Sequence, residues 1–360
     1  MKFDFAKPKK SKILIYDKES TKFADILFPK KNYEIIYTRR ERINIYIFII
    51  TIFKTGFKNL KNNYKKNFIN CVSPKIVLCG IDNHAGFYNL KQMCSNPVYI
   101  SIQPGLCSKE RYKNFYEYCR KYYRENKKKL AIDHSFVFSK TEKSMLSKII
   151  NTKIHVVGSI LNNEFPLNFK KKKYKSILYI SANDIVDFKL DKKIFGHLIE
   201  FGKSKKIKLY YLGRGYRNVS SLLVNAFPKG NWKYIFHKSY KKRYQIVNKQ
   251  QLIVFTHSTF GFEAMAKGIK CLKISKKPPT RNIGKIFPIE GFYKKYDASG
   301  EFWTNSLKSS DFKIFLNKMI NRPNSKWKKI AKSYSKEILS YDPYNYKIKK
   351  IIKNILNKKN

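Results

Sequence analysis

Short β-like runs separated by helix-length stretches recur along the whole chain, and this rhythm narrows the fold more than any other feature. They lie at residues 12–16, 33–37, 75–79, 98–102, 136–138 and 155–157, and again at 177–181, 207–212, 234–237, 252–255 and 269–274. Continuous apolar runs are the pattern of strands buried on both faces of a parallel sheet, with helices as the crossovers. Ser139-Lys140-Thr141-Glu142 is a capping box that opens a helix to about Ile150. After Gly158 the chain turns loop-like, and 169–175, FKKKKYK, is a charge run that reads as a linker. The pattern then restarts. Two successive α/β halves fit two Rossmann-like domains facing each other, at 1–165 and 166–335, followed by a helical tail at 336–360. The tail pattern predicts helices at 310–319 and 326–339 and one more after Tyr341-Asp342-Pro343.

Composition excludes several classes. The cysteines, Cys71, Cys79, Cys94, Cys107, Cys119 and Cys271, form no C-x-x-C pair and lie near no histidine at metal-ligand spacing. That argues against a zinc site and a disulfide framework and fits reduced thiols in a cytoplasmic protein. The basic N-terminus lacks the apolar core of a secretory signal. Lys and Arg number 77 against 24 Asp and Glu, a formal charge of +53. Such a field attracts polyanions in general. The lysines are spread evenly, however, in a chain equally rich in Ile, Asn, Tyr and Phe, so background bias accounts for much of the charge and a dedicated nucleic-acid surface is not expected. The apolar segment 43–53, INIYIFIITIF, is too short to cross a bilayer, for which about 20 residues are needed. A buried core element is the favoured reading; a helix at the membrane surface, flanked by Arg39, Arg40, Arg42, Lys54 and Lys58, is the alternative.

In open α/β sheets, ligands gather outside the carboxyl ends of strands, which points to the residues directly after each apolar run. After the run 252–255 come Thr256, His257, Ser258 and Thr259, then a helix over 260–267 ending at Gly268. A helix start here attracts phosphate, with Ser258, Thr259 and His257 beside it; simple capping accounts for Ser258 and Thr259 equally well. Glu263, about one turn in, can reach a ribose hydroxyl pair or stand exposed. After 75–79 comes Gly80-Ile81-Asp82-Asn83-His84, where Asp82 or His84 can serve as a general base; a helix cap is the competing reading. Asp17 reads as a turn residue. Gln103-Pro104-Gly105 forms a tight turn in which Gln103 can present its amide, although a turn alone explains it. Gly213-Arg214-Gly215 can bring a guanidinium to a diphosphate, with a surface arginine equally consistent. No Ser-His-Asp spacing, G-x-S-x-G, Walker loop or D-x-D is present, so hydrolase, ATPase and metal-dependent readings fall.

With these segments in view, the chain resembles bacterial surface carbohydrate (lipopolysaccharide) biosynthesis proteins of the GT-B glycosyltransferase-like type, with distant likeness to polyglycerol-phosphate transferases and sugar-nucleotide 2-epimerases. The resemblance rests on YEIIYTRRERINIYIFI (33–49), SPKIVLCGIDNHAGFYNL (73–90), ISIQPG (100–105), HSTFGFEAMAKGIKCL (257–272), FWTNSLKSSDFKIFLNKMI and EILSYDPYN. The most specific is HSTFGFEAMAKGIKCL, similar to the family's STLGYEALARGKK. The chain departs from that pattern in reading Gln103-Pro104-Gly105 where QNG-like turns are common, and Phe262 where tyrosine is frequent.

The resemblance implies a two-domain transferase that moves a sugar or related group from a nucleotide-linked donor to a glycan or lipid-linked acceptor. It implies no cofactor and no metal. The second domain would hold the donor, with Ser258, Thr259 and Gly261 shaping the phosphate site, Glu263 contacting the nucleotide and Arg214 meeting developing diphosphate charge. The first domain would face the acceptor, with Asp82 and Asn83 across the cleft and Asp82 or His84 deprotonating the acceptor hydroxyl. The expected place is the cytoplasm, with peripheral contact at an anionic membrane as an option. The competing readings are a sugar-nucleotide 2-epimerase and a nonenzymatic basic protein that binds nucleic acid or membrane.

Overall fold

The computed structural model describes residues 2–39, 41–106, 109–166, 174–181, 188–213, 219–227, 230–256, 258–274, 285–286, 296–297 and 299–357. It divides into two compact units, Met1–Glu164 with Asp342–Asn360, and Phe165–Tyr341.

The first unit opens with strands β1 (Lys2–Asp4) and β2 (Ile13–Tyr16), helix α1 (Thr21–Leu27) and strands β3 (Glu34–Ile36) and β4 (Arg42–Asn44). Helices α2 (Ile45–Thr55) and α3 (Leu60–Val72) follow, then β5 (Ile76–Cys79), α4 (Ala85–Met93), β6 (Val98–Ile102) and α5 (Lys109–Asn126). Strand β7 (Leu130–Val137), α6 (Lys140–Ile149), β8 (Ile150–Val156) and α7 (Ile160–Glu164) complete the run. Six strands form one parallel sheet in the order β3-β2-β5-β6-β7-β8. Each residue of ILIY in β2 and IVLC in β5 is buried, which is why these strands read as continuous apolar runs. Ser139 caps α6 by accepting from the Glu142 backbone N–H.

The second unit alternates β9 (Tyr174–Ile180), α8 (Phe188–Lys205), β10 (Lys208–Leu212), α9 (Val219–Ala226), β11 (Trp232–Ile235) and α10 (Tyr240–Asn248). Strand β12 (Gln250–Phe255), α11 (Thr259–Ala266) and β13 (Lys270–Ile274) come next. Its sheet is also parallel, in the order β11-β10-β9-β12-β13 with a short strand at Trp303–Thr304 on the edge. Helices α12 (Ser309–Asn321) and α13 (Asn324–Ile338) end the unit. The last helix, α14 (Tyr346–Asn357), returns to the first unit, where Ile348 and Ile352 join the core formed by Ile13, Ile15, Ile76, Leu78, Ile100 and Ile102. Buried amides pin the returning turn. Asn163 Nδ2 donates to Val157 O and Asn345 Oδ1, and the Asp342 N–H donates to Asn163 Oδ1.

One expectation changes. The segment 43–53 is not a buried core element: it ends β4 and forms most of α2, in which only Ile47 and Thr51 are buried. The inner face is narrow: it carries the fully buried Ile47 and Thr51, whose Oγ1 accepts from Asn67 Nδ2 of α3, while Ile49 and Phe53 lie exposed on the other side. The linker expected at 169–175 lies mostly outside the described residues, and β9 already begins at Tyr174.

Candidate functional site

The strand orders single out two positions. In the first unit the chain steps from β2 outward to β3, then resumes on the other side of β2 with β5. In the second it runs from β9 to β10 and β11, then resumes on the other side of β9 with β12. Where the direction of winding reverses, the crossover helices diverge to opposite faces and leave a crevice outside the carboxyl ends of the two strands. Those ends are Tyr16 and Cys79 in the first unit and Ile180 and Phe255 in the second. The turns that carry Asp82 and His84 and that carry Ser258 and Thr259 therefore both follow a switch-point strand.

At the first switch point the polar groups are packed together. Lys65, reaching in from α3, is buried and donates to the Tyr16 hydroxyl at 2.9 Å. Burial, with the nearby Lys61 ammonium second, lowers its pKa from 10.5 to about 8. Burial likewise pushes the Tyr16 phenol far above its usual range. His84 stands at the cap position of α4 without capping it, and its ring meets Tyr16 edge-on at 5.4 Å. Burial, then the charge of Lys65, lowers the His84 pKa below 6.5, so the imidazole is neutral at pH 7. Its Nδ1 is buried and has no hydrogen-bond partner beyond its own residue among the described residues. Gly86 makes the fit possible, because a Cβ there would stand 3.0 Å from the imidazole and 3.4 Å from the Tyr16 hydroxyl. Asp82 is buried, and its backbone carbonyl accepts from the Tyr88 hydroxyl at 2.6 Å. Asn83 is half-buried in the turn between them.

Asp17, read as a turn residue, is one, and it is fully buried. It adopts φ 77°, a region costly for a side chain with a Cβ, and is held there by the Glu19 N–H at 2.9 Å, the Arg39 guanidinium at 3.1 Å and the Thr38 hydroxyl. Tyr16 and Lys65 are the residues that sequence reasoning missed. Tyr16 is hidden as the last letter of an apolar run, and Lys65 as one lysine among many. Gln103 is engaged internally: its backbone N–H donates to Phe136 O, its Oε1 accepts from Phe138 N, and its Nε2 donates to Gly105 O. Its amide ties the ends of β6 and β7 to the turn instead of facing outward.

At the second switch point Ser258 is the N-cap of α11 and accepts from the Phe260 N–H at 3.3 Å. Thr259 is the first helical residue. Gly261 is a packing glycine, since a Cβ there would lie 2.2 Å from the Phe255 ring. Glu263 is buried, not exposed, and its Oε2 accepts from the Tyr244 hydroxyl at 2.6 Å. One turn on, Lys267 donates to Asn248 Oδ1 and Phe165 O and covers the Tyr244 ring at 4.8 Å. Burial brings its pKa down to about 7 against the opposing pull of Glu263. The carboxylate of Glu263 thus serves a buried network with α10. Arg214 and His257 lie outside the described residues.

By sequence, residues 184–356, just under half of the chain, match a family model described as "putative O-antigen biosynthesis protein". No curated protein matches the chain significantly. Among solved structures, UDP-GlcNAc 2-epimerase from Neisseria meningitidis bound to UDP-GlcNAc is 13% identical, with a TM-score of 0.57 and all of both chains covered. A variant of Staphylococcus aureus TarM in complex with fondaparinux, α-GlcNAc-glycerol and UDP is 12% identical with a TM-score of 0.50, covering 83% of this chain and 59% of that one. The fold is of the GT-B type. The pneumococcal O-GlcNAc transferase GtfA, in complex with UDP and GlcNAc, is 13% identical with a TM-score of 0.49. The GT-B chain described here spans 61% of the length of GtfA and 58% of TarM.

Proposed function

We propose that this chain is a transferase of surface-glycan assembly that moves a sugar or a related group from a nucleotide-linked donor to a glycan or lipid-linked acceptor. The observation that carries the reading is His84, a half-buried neutral imidazole at the switch point of the first sheet. A base of this kind takes the acceptor hydroxyl's proton as the new bond forms. Tyr16 and Lys65 beside it hold its electrostatic setting. Asp82 and Asn83 line the same turn as acceptor contacts. In the second unit, the start of α11 at Ser258 and Thr259 offers the positive end of its dipole to a diphosphate, with Arg214 as charge partner and His257 as a hydrogen-bond donor. Fixed positive charge of this kind stabilises a leaving diphosphate without a metal or a cofactor. The match of 184–356 to an O-antigen biosynthesis family supports a role in surface carbohydrate, and a cytoplasmic place of action is part of the proposal.

The second reading is a sugar-nucleotide 2-epimerase, favoured by one observation: the epimerase fold covers both chains end to end, whereas the transferases cover this chain in part. Incubation with a panel of nucleotide sugars, with and without an acceptor glycan, separates the two by mass spectrometry and NMR. Transfer requires the acceptor and persists in EDTA. An epimeric sugar formed from donor alone establishes the epimerase instead. His84→Gln is expected to abolish turnover while calorimetry still registers donor binding; turnover at the wild-type rate in that variant overturns the assignment of the base.

A further inference from the structure

Helix α2 is apolar on the outside. Its inner face carries Ile47 and Thr51, while Ile49, 47% exposed, and Phe53, 87% exposed, lie on the opposite side one turn apart. Phe57, just beyond the helix, is 76% exposed. At the other end, β1 pairs with β4, the strand that leads into α2, and presents Phe3 (55% exposed) with Phe5 (74% exposed) directly after it. Lys7 reaches from this segment to the Tyr46 ring on α2, 6.0 Å from its centroid. A water-facing helix of a globular protein has the reverse pattern, with its apolar stripe turned inward. The arrangement therefore needs a partner that accepts apolar side chains.

The charge around it identifies the partner. No Asp or Glu occurs between Glu41 and Asp82, and exposed cations surround the helix: Arg42 on β4, Lys54 on α2, Lys58 in the turn after it and Lys61 at the start of α3. The carboxylate that adjoins the strip, Asp4 between Phe3 and Phe5, is paired with Arg42 at 3.7 Å, and α2 and the turn after it carry no acidic side chain. Such an apolar strip framed by lysines matches an anionic bilayer, whose headgroups meet the lysines while the aromatic and aliphatic side chains enter the acyl boundary. The helix is about 16 Å long, at 1.5 Å per residue, which suits it to lie in the interface rather than cross it. We propose that the outer face of α2, with Phe3, Phe5 and Phe57, docks the protein on an anionic membrane surface. This docking stands independently of the reaction assigned above.

The test is co-sedimentation of the full chain with vesicles of phosphatidylcholine alone and with vesicles in which about a third of the lipid is phosphatidylglycerol. The wild type is expected to bind the anionic vesicles. Phe53→Ser with Phe57→Ser, which changes no charge, is expected to weaken that binding about tenfold or more while leaving the thermal melt and donor binding unaltered. Lys54→Gln with Lys58→Gln weakens it as well, whereas Lys326→Gln with Lys329→Gln, exposed on α13, leaves it unchanged. Equal binding by the phenylalanine pair and the wild type overturns the proposal, because the charge of +53 then suffices. It is also overturned if the wild type self-associates in sedimentation velocity through Phe53 and Phe57 and binds no vesicles, since the occupant is then a second copy.

Discussion

Lys65 couples two titrations. Its ammonium is one cause of the lowered His84 pKa, so removing it eases protonation of the imidazole. In Lys65→Met the acid limb of kcat/KM is expected to move to higher pH, towards the ordinary histidine value of 6.5, while the wild-type enzyme keeps activity to lower pH. A limb that stays in place shows that His84 is not the group titrating. Stability gives a second check. A lysine whose folded pKa is about 8 against 10.5 unfolded carries its full burial penalty below pH 8 and sheds it as pH rises towards 10.5. The stability of the wild type relative to Lys65→Met is therefore expected to increase over that window in urea titrations. For Glu263 the prediction concerns the residue as structure. Glu263→Ala takes the acceptor from the buried Tyr244 hydroxyl and the carboxylate that favours the charged form of Lys267, and is expected to cost about 2 kcal/mol. A contact made only with ligand would leave the melt unchanged and weaken donor binding. Side-chain direction decides between these roles, and one sequence carries no trace of it: at five residues past Ser258, a glutamate facing a nucleotide and one facing α10 read the same.

At the scale of the element, burial pattern explains what was legible. Strands β2, β5, β6, β10, β12 and β13 fall within two residues of the apolar runs that predict them, because strands buried on both faces carry uninterrupted apolar sequence. Strands β7 and β8 are longer than their apolar cores. In β7 the half-buried Ala131, Asp133 and His134 interrupt the buried Leu130 and Ile132, and in β8 the exposed Asn151 and Lys153 alternate with the half-buried Thr152 and Ile154, which breaks the run. Helix α2 went the other way, its apolar composition suggesting a core element although only Ile47 and Thr51 of it are buried. In α11 the sequence signal was sound, and the open question was what Ser258 and Gly261 are for. Ser258→Ala is expected to cost about 1 kcal/mol as a lost cap. Gly261→Ala pushes a methyl into the Phe255 ring and is expected to cost about 2 kcal/mol or more by overpacking. Urea unfolding measures both, and an unchanged midpoint for Gly261→Ala would show that β12 and α11 can separate without loss.

For the whole molecule, the restart of the strand rhythm at residue 177 announced a second α/β unit, but the return of the last helix left no comparable mark. A helix pattern states which face is apolar, not which of two cores receives it. The receiving core becomes clear only from contacts far apart in sequence, with Asn163 bonded to Asn345 and Ile348 set among β2, β5 and β6. The tail is thus a covalent extension of the second unit that completes the hydrophobic core of the first. Truncating a buried isoleucine leaves a cavity that costs about 2–5 kcal/mol. Ile348→Ala is expected to fall in that range and to act locally. Hydrogen exchange should accelerate in β2, β5 and β6, while β9 and β12 keep wild-type protection, because the isoleucine belongs to the first core alone. Equal loss of protection in both sheets would mean that the two units unfold as one cooperative body.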